Sequence, residues 1–438
     1  MRHAAARMAI LLVGLAVVPA CAGEAADKMS AGPPDASADT ANSSPAGPSG
    51  NKDTYCAAEG DGYIWVDTLR TCIKVGGYLW AEGYYNTYTE YPSDSDRFYG
   101  IGTVAGTVNT VTDTGSFGPL NGIVDVRFQY RSAKSYSGGP AELQIEPHDI
   151  SIRWAGFTVG YRESLFDFYR NANIQGTDSV TIGDDLKLPL LGYTLSMKDG
   201  WSATISIEQG NYRGGGISPA NANSDVVFGQ DTDLPDIVAA FAQKADWGQF
   251  QISGATHRIA TASPTGLPAG LSPSIWGYAV QTGVMVNLPM IAAHDSFYLQ
   301  TAYVDGATSY LGLVNPSGEF SPPDAYLSAT GELSRVAGWN ITAEYLHAWT
   351  PTISSAFFGG YASFDLNNAP AQVGYGARSG DNFNVGINAN WSPTRDMTFT
   401  SQYMFTRFRS NDFFNTESDM PRTTQNAHQA LVMAQYKF

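Results

Sequence analysis

After residue 20 the chain has no hydrophobic run approaching the roughly 20 apolar residues that a membrane helix requires, so no helix of it crosses a bilayer. Charge is scarce as well: only 15% of the 438 residues are Asp, Glu, Lys or Arg, low for a soluble enzyme of this length. Basic residues are the rarer sign, 25 against 41 acidic, and the formal net charge of -16 argues against a nucleic-acid partner. Histidine is limited to six positions, His3, His148, His257, His294, His347 and His428. No two of them have metal-ligand spacing, and no Ser–His–Asp order rises above chance. A phosphate-binding glycine motif and a cysteine-rich metal motif are also missing. The sequence therefore gives no support to an enzyme, a cofactor or a metal. Cysteine is limited to Cys21, Cys56 and Cys72.

What is present begins with an export signal. Arg2 and Arg7 precede an apolar run from Met8 to Val18, followed by small residues. Two processing routes compete: cleavage after Val18-Pro19-Ala20, or reading Val18-Pro19-Ala20-Cys21 as a loose lipobox with Cys21 lipidated. Residues 1–22 are thus expected to be the signal. Residues 23–54, rich in Ala, Ser and Pro, have little to bury and are expected to be a disordered periplasmic tether. Residues 55–438 form the remaining domain. In an oxidising compartment Cys56 and Cys72 are expected to pair, closing a short loop.

The domain is full of period-two segments. Val124, Val126, Phe128 and Tyr130 alternate with Asp125, Arg127, Gln129 and Arg131; Ile150, Ile152 and Trp154 alternate with Ser151 and Arg153. At the C-terminus Val432, Ala434, Tyr436 and Phe438 alternate with Met433, Gln435 and Lys437. One such strand also suits a soluble sandwich; the repetition decides. About sixteen segments recur, each near the roughly 9–11 residues that cross a bilayer obliquely. They begin near Cys72, Arg97, Pro119, Ala141, Phe157, Lys187, Trp201 and Pro235. The rest begin near Gly248, Ser274, Ser296, Ala325, Trp339, Asp381, Asp396 and Asn426.

Short connections, at residues 154–156, 199–201, 245–248, 337–339 and 391–393, alternate with long ones after residues 209, 257, 305, 349 and 407. Five of the nine tryptophans, Trp154, Trp201, Trp247, Trp339 and Trp391, sit at the short turns. An indole at a membrane interface keeps its ring among headgroups and its N–H hydrated. The expected fold is all-β: a transmembrane antiparallel up-and-down barrel of 16 strands, with periplasmic short turns.

The stretch from Cys56 to Tyr78, CAAEGDGYIWVDTLRTCIKVGGY, resembles the start of mature porins of the alphaproteobacterial (rhizobial and Brucella-type) family. Further echoes are Asp125 to Tyr130, Ile152 to Phe166, Ile207 to Gly210 and Leu234 to Val238. The resemblance covers roughly residues 55–438, strongly in the first third and patchily beyond. It implies a sixteen-stranded barrel in the bacterial outer membrane, a homotrimer, a third outer loop folded into the lumen, and a channel for passive diffusion of small hydrophilic solutes and ions. The terminal Phe438 implies recognition by the outer-membrane assembly machinery. Outer-membrane lipid and lipopolysaccharide are the expected surroundings.

Selectivity in such a pore is set by fixed charge. Alternation turns Arg127, Arg131, Arg153 and Arg162 inward, with Lys74 expected to join them as a basic wall. Opposite it stands the third outer loop, with Asp167, Arg170, Asp178, Asp184 and Asp185; acid against base gives a transverse field. The same groups can instead pair with one another to hold the loop. A second reading is a ligand-specific channel or receptor, for a sugar or other small polar ligand, using Tyr310, Phe320, Phe357, Phe358, Tyr361, Phe413 and Phe414.

Overall fold

The computed structural model describes residues 52–87, 97–132, 143–176, 182–183, 185–218, 229–231, 234–262, 273–313, 322–327, 332–365, 379–411 and 424–438. The signal, Cys21 and the tether up to residue 51 lie outside them. Helix α1 (Lys52–Ala58) and strand β1 (Ile64–Val66) lead into β2 (Thr71–Asn86), β3 (Phe98–Asp113), β4 (Pro119–Arg131) and β5 (Leu143–Trp154). Then come β6 (Phe157–Glu163), β7 (Lys187–Ser196) and β8 (Trp201–Glu208), and two short loop strands, β9 (Ile217–Ser218) and β10 (Gly229–Asp231). β11 (Asp236–Ala245), β12 (Gly248–Ala262), β13 (Ser274–Asn287) and β14 (Ser296–Asp305) follow, with loop strands β15 (Ala325–Leu327) and β16 (Leu333–Arg335). The chain ends on β17 (Ala337–Thr350), β18 (Ile353–Asp365), β19 (Ser379–Trp391), β20 (Met397–Asn411) and β21 (Thr424–Lys437).

The main sheet has 18 strands; without β1 and β10, which extend it at its margins, 16 form a closed antiparallel ring. β21 closes on β2, with Tyr78 opposite Lys437 and Asn86 opposite Gln429. Closure is what lipid demands, because an open edge would leave amides with no partner in hydrocarbon. Phe438 completes the seam by exchanging backbone hydrogen bonds with Gly77 at 2.9 and 3.0 Å. A side chain on Gly77 would collide with the Phe438 ring, so the seam requires glycine there. Below the seam β1 takes the place of β21 beside β2, pairing Ile64 with Ile73 and Val66 with Thr71. The Cys56–Cys72 disulfide ties α1 to β2 there, in a small core with Val111.

The alternation read from the sequence is the wall itself. On β4, Asp125, Arg127 and Gln129 are buried inside, while Val124, Phe128 and Tyr130 are exposed outside. Trp154, Trp201, Trp247 and Trp391 lie at the short-turn end; Trp201 stacks on Phe241 at 4.8 Å and Trp391 on Phe399 at 5.5 Å.

Three expectations are corrected. Residues 337–339 are not a short turn: they open β17 at the long-loop end, where Trp339 lies 5.3 Å from Tyr361 in an outer aromatic row. The periplasmic tryptophan of that strand is Trp349, 59% exposed. The connection after residue 349 is not long either: β17 turns straight into β18 through residues 351–352. Correspondingly, Ala325 starts a three-residue loop strand rather than a barrel strand, and β18 is the strand the sequence reading missed.

The described residues of the sixth outer loop, 306–313, 322–327 and 332–336, also enter the barrel, an infolding that alternation alone does not predict. Its Ala307, Tyr310, Leu311 and Val336 are fully buried, in a core shared with Val238, Val304 and Ala362 of the wall. β15 pairs with β16 and, in parallel, with β9, which joins this loop to the fourth, residues 209–235. Beneath lies a chain of buried ions. Asp236 accepts from Tyr310 Oη at 2.7 Å and meets His257 Nδ1 at 2.8 Å; Asp324 lies 3.4 Å from His257 Nε2. Asp324 also accepts from the amides of Gly215 at 2.6 Å and Thr308 at 2.7 Å. A ring flanked by two carboxylates serves both only when each nitrogen carries a proton. Removing that cation leaves two buried carboxylates unpaired, at a cost of about 3–5 kcal/mol. His257→Leu should therefore free the sixth loop to external protease while the barrel keeps its heat-modifiable migration. Unchanged protease resistance would show that the ion chain does not hold the loop.

Candidate functional site

The lumen is narrowed by the third outer loop, whose described residues 164–176, 182–183 and 185–186 lie along the inner wall. Its path is fixed by side chains of the wall that hydrogen-bond its backbone. Gln251 Nε2 and Ser253 Oγ donate to the Phe166 carbonyl at 2.9 and 2.8 Å, and Gln300 Oε1 accepts from the Tyr169 amide at 2.7 Å. Glu344 accepts from the Tyr169 hydroxyl and from the Asn173 side chain. Asn388 Nδ2 donates to the Asn173 carbonyl at 2.7 Å, and Gln402 exchanges two hydrogen bonds with the backbone of Gln175, both at 3.0 Å. At Gly176, with φ +95°, any side chain would strike Tyr84 of β2 and Leu431 of β21. Further along, the Ile182 carbonyl accepts from Thr342 Oγ1 at 2.6 Å.

The predicted basic residues line β4, β5 and β6 as rungs rather than a ring. Arg131 is at the outer end of β4, 5.8 Å from the Tyr99 ring. Four residues down, Arg127 lies 4.9 Å from the Trp80 ring, and its Nη2 donates to His148 Nε2 at 2.7 Å. Tyr78 accepts from its Nε. Arg162 follows on β6, next to Tyr161, which pairs with Ile150. Arg153 is paired with Thr158 nearer the short turn and lies 3.9 Å from Asp149. Lys74 does not join this series: its Nζ sits 5.8 Å from the Tyr63 ring, in the N-terminal hairpin.

The acidic side of the expected field is differently arranged. Asp167 is fully buried, with Arg213 Nη2 at 3.2 Å from both its oxygens. The Arg213 guanidinium in turn covers the Tyr310 ring at 4.2 Å. The reason is packing: Phe166 and Tyr310 bury the segment, and a charge taken that deep requires a partner. Arg170 pairs with Glu163 at 3.2 Å, and Asp185 with Lys187 at 2.7 Å. Asp178 and Asp184 lie outside the described residues. Of the loop aromatics, Tyr310 and Phe358 are buried in packing, Phe357 and Tyr361 stand on the outward face of β18, and Phe320, Phe413 and Phe414 lie outside the described residues.

The anchors Gln300, Glu344, Asn388 and Gln402 were not singled out from the sequence. On β19 a signal existed: Asn382, Asn384, Asn388 and Asn390 recur at even positions, a polar inner face.

A family model described as a porin subfamily matches residues 54–434. The chain belongs to that porin subfamily. Porin Omp2b of Brucella suis is 26% identical over 212 residues, 44% of this chain and 54% of that protein. Porin Omp2b of Brucella abortus (strain 2308) is 25% identical over 203 residues, again 44% and 54%. The chain thus spans about half the length of the curated relatives it matches. Among solved structures, the outer membrane channel DcaP of Acinetobacter baumannii superposes with a TM-score of 0.65 at 12% identity, over 84% of this chain and 97% of that one, a likeness of fold. Subfamily membership and the closed barrel place the protein in the bacterial outer membrane as a multi-pass protein.

In the third loop, burial pushes the Asp185 carboxyl up to about 6, although Lys187 draws it down. It is therefore charged above that pH and neutral below it, which leaves Lys187 without its counter-charge in acid. Infrared difference spectra between the protein and Asp185→Asn should show a carboxyl titrating near that value. A carboxyl titrating in the ordinary range near 3.9 would contradict the burial.

Proposed function

We propose that this porin forms a water-filled channel for passive diffusion of small hydrophilic solutes and ions. The observation that carries the reading is a closed barrel whose polar inner wall anchors the third loop across the lumen by at least six hydrogen bonds from five strands. An eyelet held this way is a rigid size filter. Along one side the rungs Arg131, Arg127, Arg162 and Arg153 present positive charge to a passing solute, while Asp167 and Asp185 are already matched. The selectivity in this reading comes from the arginine side, with the loop acids acting mainly as struts.

The reading includes a homotrimer. Supporting it, β6 and β8 have only 7 and 8 residues, short of the roughly 9–11 a lipid-facing strand needs. That wall suits the flank of another copy better than lipid. Residues 1–22 serve as the export signal and 23–54 as a periplasmic tether, with the C-terminal strand recognised by the assembly machinery.

Planar-bilayer recordings test the reading. Permeation of uncharged solutes should fall with size alone, and neutralising Arg127, Arg131 and Arg153 together should shift reversal potentials toward cations. Saturable block by one uncharged solute would favour a specific channel, and an unchanged reversal potential would remove the arginine wall from selectivity.

A further inference from the structure

We propose that the turn between β13 and β14, residues 288–295, is a foot that inserts Met290 and Ile291 into the phospholipid leaflet at the short-turn end of the barrel. The foot seats the barrel in the membrane and takes no part in permeation.

This turn is the longest of the described connections at that end, and its composition is unlike theirs. Residues 392–396 read Ser-Pro-Thr-Arg-Asp and residues 197–200 read Met-Lys-Asp-Gly, the polar chemistry of a turn that meets water. Residues 288–293 read Leu-Pro-Met-Ile-Ala-Ala, with no charged group, hydroxyl or amide in any side chain. Met290 is 76% exposed and Ile291 58%. Two adjacent large apolar side chains at the tip of a turn are favoured by any apolar cover.

The base of the turn says which cover. β17 sends Asn340, Thr342 and Glu344 inward, where Glu344 holds the third loop. Tyr345 and His347 therefore stand on the opposite, outer face, with Trp339 and Ile341. Asp295 is clamped to that outer face. Tyr345 Oη donates to it at 2.7 Å and the Ala348 amide at 2.9 Å, and His347 Nδ1 lies at 2.8 Å. Opposite Asp295, Leu288 donates its amide to the Asp295 carbonyl at 2.8 Å and continues the outward row of Val284 and Val286. Backbone bonds from Ile291 to Leu288 at 2.9 Å and from Asp295 to Ala292 at 3.1 Å keep the tip compact. Tryptophans flank the turn on both sides. The Asn287 amide donates to the Trp247 carbonyl at 2.9 Å, and the Trp349 ring lies 4.3 Å from that of His347. Indoles settle at the headgroup level of a bilayer. A compact apolar turn clamped to the outer face between two such rings continues the lipid-facing wall, so its occupant is the leaflet rather than a soluble partner.

The test is spin labelling of the full chain in vesicles of phosphatidylethanolamine and phosphatidylglycerol. The label goes on Ile291→Cys, with Cys21→Ser and the Cys56–Cys72 disulfide retained. Collisions with oxygen, which concentrates in lipid, should outnumber those with a water-soluble nickel complex. On Asp199→Cys, in the polar turn between β7 and β8, the order should reverse. Met290→Cys should report the same as Ile291→Cys, and decides the matter if that variant fails to assemble. Asp295→Ala removes the clamp and should raise both the mobility and the nickel exposure of the label at position 291, in a barrel whose heat-modifiable migration is unchanged. Nickel exposure at position 291 equal to that at position 199 overturns the insertion, as does a label shielded only when periplasmic protein is added. A label that Asp295→Ala leaves unmoved overturns the clamp.

Discussion

A backbone amide in hydrocarbon has no water to turn to, and the rest of this structure follows from that constraint. Every strand in the membrane must be paired on both sides, so the sheet closes, and β21 meets β2 through the register that begins at Tyr78 and Lys437. Closure turns the usual protein inside out. The apolar face of each strand points to lipid, and the polar face points to a space enclosed by its own wall. The one place where β2 outruns its partner, below Gly77, is covered by β1 and locked by the disulfide to Cys56.

An enclosed polar face creates a second problem, because side chains such as Glu344, Asn388 and Gln402 must be satisfied. The third loop solves it by threading its own backbone polar groups along that wall. Loop and wall satisfy each other, since a loop entering the barrel needs partners for its amides as much as the wall needs partners for its side chains. The sixth loop adds an apolar contribution. Tyr310 and Leu311 pack against Val304 and Ala362, so the inner wall is polar where it meets the third loop's backbone and apolar where it meets buried side chains.

That division explains which parts were legible in the sequence. Strands whose inner face meets water or backbone, such as β4 and β21, alternate cleanly, and their starts can be read to within a few residues. β18 cannot. Its inward residues Ala356, Phe358, Ala362 and Phe364 are apolar because they pack against infolded loops, so both faces read alike and the period disappears. The short turn at residues 351–352 therefore reads as the start of a loop, and the segment at Ala325 reads as a strand in its place. The same limit applies to the charges. Alternation places Arg127 and Arg162 in the lumen because it is a local property. The pairing of Asp167 with Arg213, 46 positions away, depends on how two loops pack together.

Electrostatics in the lumen is therefore what remains after packing has been satisfied. A charge buried where a loop meets the wall must be matched by a counter-ion, as Asp167 is by Arg213, or by hydrogen bonds, as Glu344 is by Tyr169 and Asn173. Asp167, Asp236, Asp324 and His257 found theirs within the protein, and so contribute little net field at the eyelet. A solute responds chiefly to charges that the fold leaves over. The acidic composition of the whole chain is a poor guide to these, since net charge counts paired and unpaired groups alike. Loop packing thereby sets both the width of the channel and which charges a permeating ion meets there.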